Sequence, residues 1–152
     1  MTDRTDIEII EQLKKKGRAS MREIAEKLDI APSTASARFQ KLKQESIIKG
    51  FKPVVDYEKL GFDLTAVMEI QAEPNKIPEL AERIENRNQI ISFFEVTGTT
   101  DMILIGKFLD RQNLNEFVKD LQKTEGVNST ETHIVLTSPK THGEIDLEKV
   151  KK

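Results

Sequence analysis

SMREIAEKLDIAPSTASARFQKLKQE, residues 20–45, reads as two short helices separated by a tight turn at Asp29-Ile30-Ala31. Ser20 opens the first helix and Glu23 follows three residues on, the spacing of a capping box. Ile24, Ala25 and Leu28 then fall on one face. Pro32 stands where a helix accepts proline, at its first position, because the missing N–H has no partner there. The second helix runs to about Glu45, with Ala35, Phe39 and Leu42 on its apolar stripe. A three-residue connection with a small Ala25 at the point of approach predicts a helix-turn-helix over about residues 22–41. Upstream, Ile7, Ile10 and Leu13 predict another helix over 6–16, opened by Thr5 or Asp6 and closed by Gly17.

The outward side of the second helix carries Ser33, Thr34, Ser36, Arg38, Gln40 and Lys41. Hydroxyl, amide and cationic groups in that arrangement hydrogen-bond phosphates and base edges in a DNA major groove. Arg38 and Gln40 are the candidate base readers, and Arg22, Lys41, Lys43 and Lys49 the candidate phosphate contacts. The competing reading is a three-helix bundle whose polar face is merely solvated. Charge favours the first. The whole chain of 152 residues sums to −2, but residues 1–50 hold 11 Lys and Arg against 8 Asp and Glu. Residues 51–152 hold 13 against 18. A basic head on an acidic body points to two units with different partners.

Residues 6–10 (DIEII), 22–28 (REIAEKL), 31–38 (APSTASAR) and 48–51 (IKGF) resemble the Lrp/AsnC, or feast/famine, family of regulators. Three positions depart from its usual pattern: Asp29 and Ser46 stand where glycine is common, and Ala31 where serine is. The resemblance implies a winged-helix-like DNA-binding head over residues 1–46 and double-stranded DNA as a partner.

Residues 47–61, IIKGFKPVVDYEKLG, are β-prone but interrupted by Gly50 and Pro53, and read as a β-strand hinge. The body, residues 62–140, repeats itself. A strand at 64–73 alternates Ala66, Met68, Ile70 and Ala72 with Thr65, Val67, Glu69 and Gln71; a helix with Ile77, Leu80, Ala81 and Ile84 inward and a strand at 90–97 follow. The second half offers a strand at 102–109, a helix with Leu114, Phe117, Val118 and Leu121 inward, and a strand at 127–137. This βαββαβ order predicts an α+β, ferredoxin-like sandwich. Strand 90–97 has Ile90 and Phe94 on one side and Ile91 and Phe93 on the other, and 102–105 is apolar throughout. Apolar residues on both faces of a sheet require a second layer, so a homodimer is expected. Two-fold symmetry would also suit two heads to successive major grooves.

VTGTTD, residues 96–101, is similar to the Thr-Gly-x-x-Asp loop of that family's amino-acid-sensing RAM domain, a relative of the ACT domain. The resemblance implies an amino-acid effector bound between copies, touching Gly98, Thr99, Thr100 and Asp101; Thr130, Thr132 and His133 on the last strand are expected to reach the loop of a neighbouring copy. It also implies assembly beyond the dimer, to an octamer or similar. Consecutive N–H groups suit a carboxylate and Asp101 suits an α-ammonium. An effector-independent architectural protein that wraps DNA remains open, as does an amino-acid-binding module that contacts a protein partner.

An enzyme is not expected. There is no cysteine, His133 and His142 are the only histidines, and no metal-ligand spacing or cofactor motif occurs. No apolar run reaches the roughly 18–20 residues of a membrane span, and MTDRTDIEIIEQLKKK lacks a signal-peptide core. A cytoplasmic, nucleoid-associated protein is the expectation. Residues 141–152 read as a polar tail in which Ile145, Leu147 and Val150 form a helical turn.

Overall fold

The computed structural model describes residues 2–141 together with Gly143, Ile145 and Leu147. The expected helical turn on Val150, and His142, lie outside the described residues. The chain divides into two compact units, one reaching Val54 and the other spanning Val55–Thr141. Among the described residues no helix is long and apolar enough to cross a membrane.

The head holds α1 (Arg4–Lys15), α2 (Met21–Leu28) and α3 (Pro32–Gln44). Helix α1 begins two residues earlier than its apolar spacing suggests because Asp3, rather than Thr5 or Asp6, is its cap. The Asp6 N–H donates to the Asp3 carboxylate at 3.0 Å, and the Asp3 N–H donates back to Asp6 at 3.2 Å. Ile9 and Leu13 are the buried apolar residues of α1, packed with Ile24 and Leu42, whereas Ile7 and Ile10 are half-buried. Ser20 and Glu23 form the expected capping box, at 3.2 and 2.7 Å. Helix α2 stops at Asp29, whose φ of +52° places it in the left-handed region. Helix α3 starts on Ala31 and Pro32 with no side-chain cap. Beyond it Ser46 is left-handed too, at φ +56°. The N–H groups of Ile47 and Ile48 then both donate to the Leu42 carbonyl.

Residues 47–56 form no strand, which corrects the β-strand hinge; nor does the described head contain a wing hairpin. Gly50 and Pro53 interrupt any ladder. Phe51 instead meets Phe39, ring centroids 6.3 Å apart, and remains half-exposed.

In the body, β1 (Leu64–Ala72), β2 (Ile90–Glu95), β3 (Met102–Phe108) and β4 (Val127–Ile134) form one antiparallel sheet in the order β2-β3-β1-β4. Helices α4 (Ile77–Glu85) and α5 (Arg111–Gln122) bury Leu80, Ile84, Leu114, Phe117 and Leu121 against Ala66, Met68, Ile70, Met102, Leu104 and Phe108. The expected βαββαβ sandwich is therefore present. At Gly106 an added Cβ would lie 2.7 Å from the Phe108 ring, so a side chain there requires the buried ring to move.

Strand β2 departs from simple alternation. Its register against β3 shifts between Ile90 and Ser92, so Ile90 and Phe93 pack on the core while Ile91 and Phe94 are 47% and 52% exposed. The bulge adds a residue and reverses the facing of the positions after it. The face of the sheet away from the helices carries Phe94 beside Ile103, and Ile105 beside Val67.

Candidate nucleic-acid interface and effector loop

Helix α3 exposes Ser33, Thr34, Ser36 and Gln40. With 3.6 residues per turn, Ser33, Ala37, Gln40 and Gln44 form the centre of that face. Ala37 and Gln44 are exposed as well; a reading by polar residue type passes over Ala37, and one that stops at Lys41 passes over Gln44, while an exposed alanine methyl suits the methyl of thymine. Arg22, Lys43 and Lys49 are exposed as well. The Lys43 ammonium lies 5.6 Å from the centre of the Phe39 ring.

Arg38 and Lys41 sit differently from the expectation. Arg38 Nη1 donates to Asp3 Oδ2 at 2.6 Å and to Asp6 Oδ1 at 2.9 Å, and its side chain is 30% exposed. Lys41 Nζ lies 3.5 Å from Asp6 Oδ2. Asp6 itself is fully buried. Burial pushes its carboxyl pKa up, but the hydrogen bonds from Arg38 and the Asp3 N–H overcome this and hold it below the usual aspartate value. Asp3 is held low, chiefly by Arg38, and the Arg38 guanidinium is raised by the same bonds. Four charges, two of each sign, thus join α1 to α3. Sequence spacing missed the pair because Thr5 or Asp6 reads as the cap of α1, which leaves Asp3 unremarked and gives Asp6 a local role.

At one end of the sheet, the loop between β2 and β3 is built around Asp101. Its N–H donates to the Ile70 carbonyl at 3.0 Å, and its carbonyl accepts from the Val96 N–H at 2.9 Å. Oδ2 accepts from the Ala72 N–H at 2.8 Å. The carboxylate so extends the β1–β3 ladder by one rung where β1 bulges at Gln71 and Ala72. Thr100 Oγ1 donates to the Ile70 carbonyl at 3.2 Å. Gln71 Nε2 donates to the Thr99 carbonyl at 2.7 Å, and Gln71 Oε1 accepts from Ser129 at 2.9 Å. Gly98 adopts φ +130°, a conformation that needs glycine. Among the described hydrogen bonds, the N–H groups of Gly98, Thr99 and Thr100 have no protein acceptor.

Thr130 and Thr132 pair with Ile70 and Met68 and therefore face the helices, where Thr130 accepts from Gln122 at 2.9 Å. Within one chain they do not join the loop; Gln71 and Ser129 do. Their positions on two neighbouring strands far apart in sequence carry no sequence signal beyond polarity. His133 faces the other way, 3.6 Å from Glu69 and 3.7 Å from Glu131.

A family model described as the Lrp/AsnC ligand-binding domain matches residues 65–145, and one for a winged helix-turn-helix DNA-binding domain matches residues 2–49. The chain belongs to the Lrp/AsnC family of transcriptional regulators. It has that family's DNA-binding helix-turn-helix and its ligand-binding domain. It is 41% identical over 136 residues to an uncharacterized HTH-type transcriptional regulator of Pyrococcus abyssi, covering 90% of this chain and 92% of the relative. To the regulator FL11 of Pyrococcus furiosus it is 34% identical, over 88% of this chain and 89% of that one. Among solved structures, the Neisseria meningitidis regulator NMB0573 in complex with L-Met has a TM-score of 0.92 at 25% identity, covering 99% of this chain and 100% of that one. AsnC of E. coli has a TM-score of 0.88 at 25% identity, covering 95% and 98%. These Lrp/AsnC relatives are transcriptional regulators.

Proposed function

We propose that this Lrp/AsnC regulator reads double-stranded DNA through the Ser33–Ala37–Gln40–Gln44 face of α3 and binds a free amino acid at the 96–101 loop. Ser33, Thr34, Ser36 and Gln40 serve the groove, while Arg22, Lys43 and Lys49 serve phosphates. The regulator acts as a homodimer that assembles further, in the cytoplasm and on the nucleoid. An effector bound between copies favours one assembly over another and so changes how the heads are spaced on DNA.

One observation carries the effector reading: three successive amides, those of Gly98, Thr99 and Thr100, lie beside Asp101 without a protein acceptor among the described residues. The amides suit an α-carboxylate. Asp101 Oδ2 is engaged with the backbone, which leaves Oδ1 for an α-ammonium. The L-Met complex of the Neisseria neighbour supports the class of ligand.

The test is a thermal-shift screen of the twenty amino acids against the wild type, Asp101→Asn and Asp101→Ala. At least one amino acid is expected to raise the wild-type Tm. Asp101→Asn keeps an acceptor for the Ala72 N–H and removes the charge, so it should fold normally and lose the shift. Asp101→Ala should in addition lose about 1–2 kcal/mol by leaving a backbone N–H unpaired. An Asn variant that responds like the wild type, or a wild type that responds to nothing, overturns the effector site.

A further inference from the structure

We infer that Asp3 and Asp6 are positioning residues that set the selectivity of the DNA reader by holding back two of its cations. The inference rests on the proposed DNA-binding face and concerns its flank. Ser33, Ala37, Gln40 and Gln44 form the exposed centre of α3, and Arg38 and Lys41 lie on the side turned towards α1. A carboxylate with no exposed surface stays charged only when it is paired and hydrogen-bonded. Asp6 meets that condition through Arg38, Lys41 and the Asp3 N–H.

The cluster acts on binding in two ways. First, the rotation of α3 about its own axis is fixed by charge-assisted bonds at 2.6 and 2.9 Å. That rotation decides whether Gln40 or a neighbour is presented to a base edge. Second, the four groups sum to zero charge. The attraction of Arg38 and Lys41 for phosphates, which every DNA sequence enjoys equally, is therefore offset by Asp3 and Asp6. Cations that neutralise phosphates raise affinity for all sequences, so restraining them widens the gap between right and wrong sites.

The experiment measures affinity against salt concentration for the full chain. The probes are one duplex that the wild type recovers from a random-sequence pool and one scrambled duplex of the same composition. Asp3→Ser keeps a residue that caps helices well and removes the nearer of the two carboxylates that hold Arg38. Asp6→Asn removes the shared partner of both cations. Glu26→Gln, on the exposed side of α2, makes the same change in net charge elsewhere. For Asp3→Ser the slope of log K against log salt should steepen by about 0.9 per head for each cation released. Affinity for the scrambled duplex should rise several-fold at low salt, and the ratio between the two duplexes should fall. Glu26→Gln should leave slope and ratio unchanged.

Should Asp6→Asn unfold the head, Asp3→Ser alone decides, because its cap survives. An unchanged slope in Asp3→Ser, or an equal steepening in Glu26→Gln, overturns the inference and leaves the DNA-binding face standing. A wild type that recovers no duplex, even at low salt, removes that face and the inference together.

Discussion

Asp29 and Ser46 occupy the left-handed region at φ +52° and +56°, where the family pattern usually has glycine. A Cβ in that conformation crowds the following carbonyl, at about 1–2 kcal/mol for an ordinary residue and less for aspartate. Ser46→Gly is therefore expected to raise head stability by about 1 kcal/mol and Asp29→Gly by less, since glycine also frees the unfolded chain. Thermal denaturation of the full chain checks both; a fall in Tm for Ser46→Gly would show that its hydroxyl matters more than its backbone. The sequence shows the unusual residues at these two positions but not the torsion they must adopt. The same limit applies to Arg38. A helical repeat places its Cα on α3, yet a side chain that long reaches either the groove or α1, and in the fold it reaches Asp3 and Asp6.

Helix α2 is tied down at its start by two devices. Glu23 closes the capping box on Ser20, and Lys16, just beyond α1, donates to it at 2.5 Å. The Lys16 bond, followed by the Ser20 N–H, holds the Glu23 carboxyl at about 2 against an ordinary 4.5. Asp3 and Asp6 are also depressed. A carboxyl whose folded pKa lies below its unfolded one stabilises the fold above the unfolded value and loses that effect as pH falls through the folded one. Head stability should thus decline as pH drops from about 4.5 towards 2. Amide signals of α2 followed by NMR should report it, and Glu23→Gln should flatten the decline; equal acid sensitivity in that variant would remove Glu23 from the account. Both capping boxes consist of short-range chemistry. The Ser20 one was legible for that reason, and the Asp3 one was obscured by the more obvious Thr5 and Asp6. Strand β2 failed where alternation fails in general: a bulge costs one residue of register and leaves no mark on an apolar run. Residues 47–56 failed because β-prone residues form a strand only where a ladder partner exists, and none pairs with them here.

For the whole molecule, the informative surface is the sheet face away from α4 and α5, where Phe94 adjoins Ile103 and Ile105 adjoins Val67. An apolar patch of this kind, flanked on the same face by Glu69, Glu131 and His133, is costly in water and suits a second copy of itself. Sedimentation of the wild type is expected to show a dimer or larger species, and Phe94→Lys combined with Ile103→Lys to yield monomers that retain their circular dichroism. Unchanged sedimentation of the double variant would place the contact elsewhere. The fold as a whole was readable because both helices and strand β1 carry a clean period, the equivalent helix positions such as Ile77 and Leu114 being offset by 37 residues. The candidate site was less readable, since Gln71 and Ser129 reach the Asp101 loop only through strand pairing. Gly106 carries a last consequence of that packing. The space a methyl group would need there is filled by the ring of Phe108, at 2.7 and 2.9 Å, on the same strand. The two positions are therefore one steric unit: in any relative that replaces this glycine by a larger residue, the aromatic two places on must shrink or turn away, so the pair changes together or not at all.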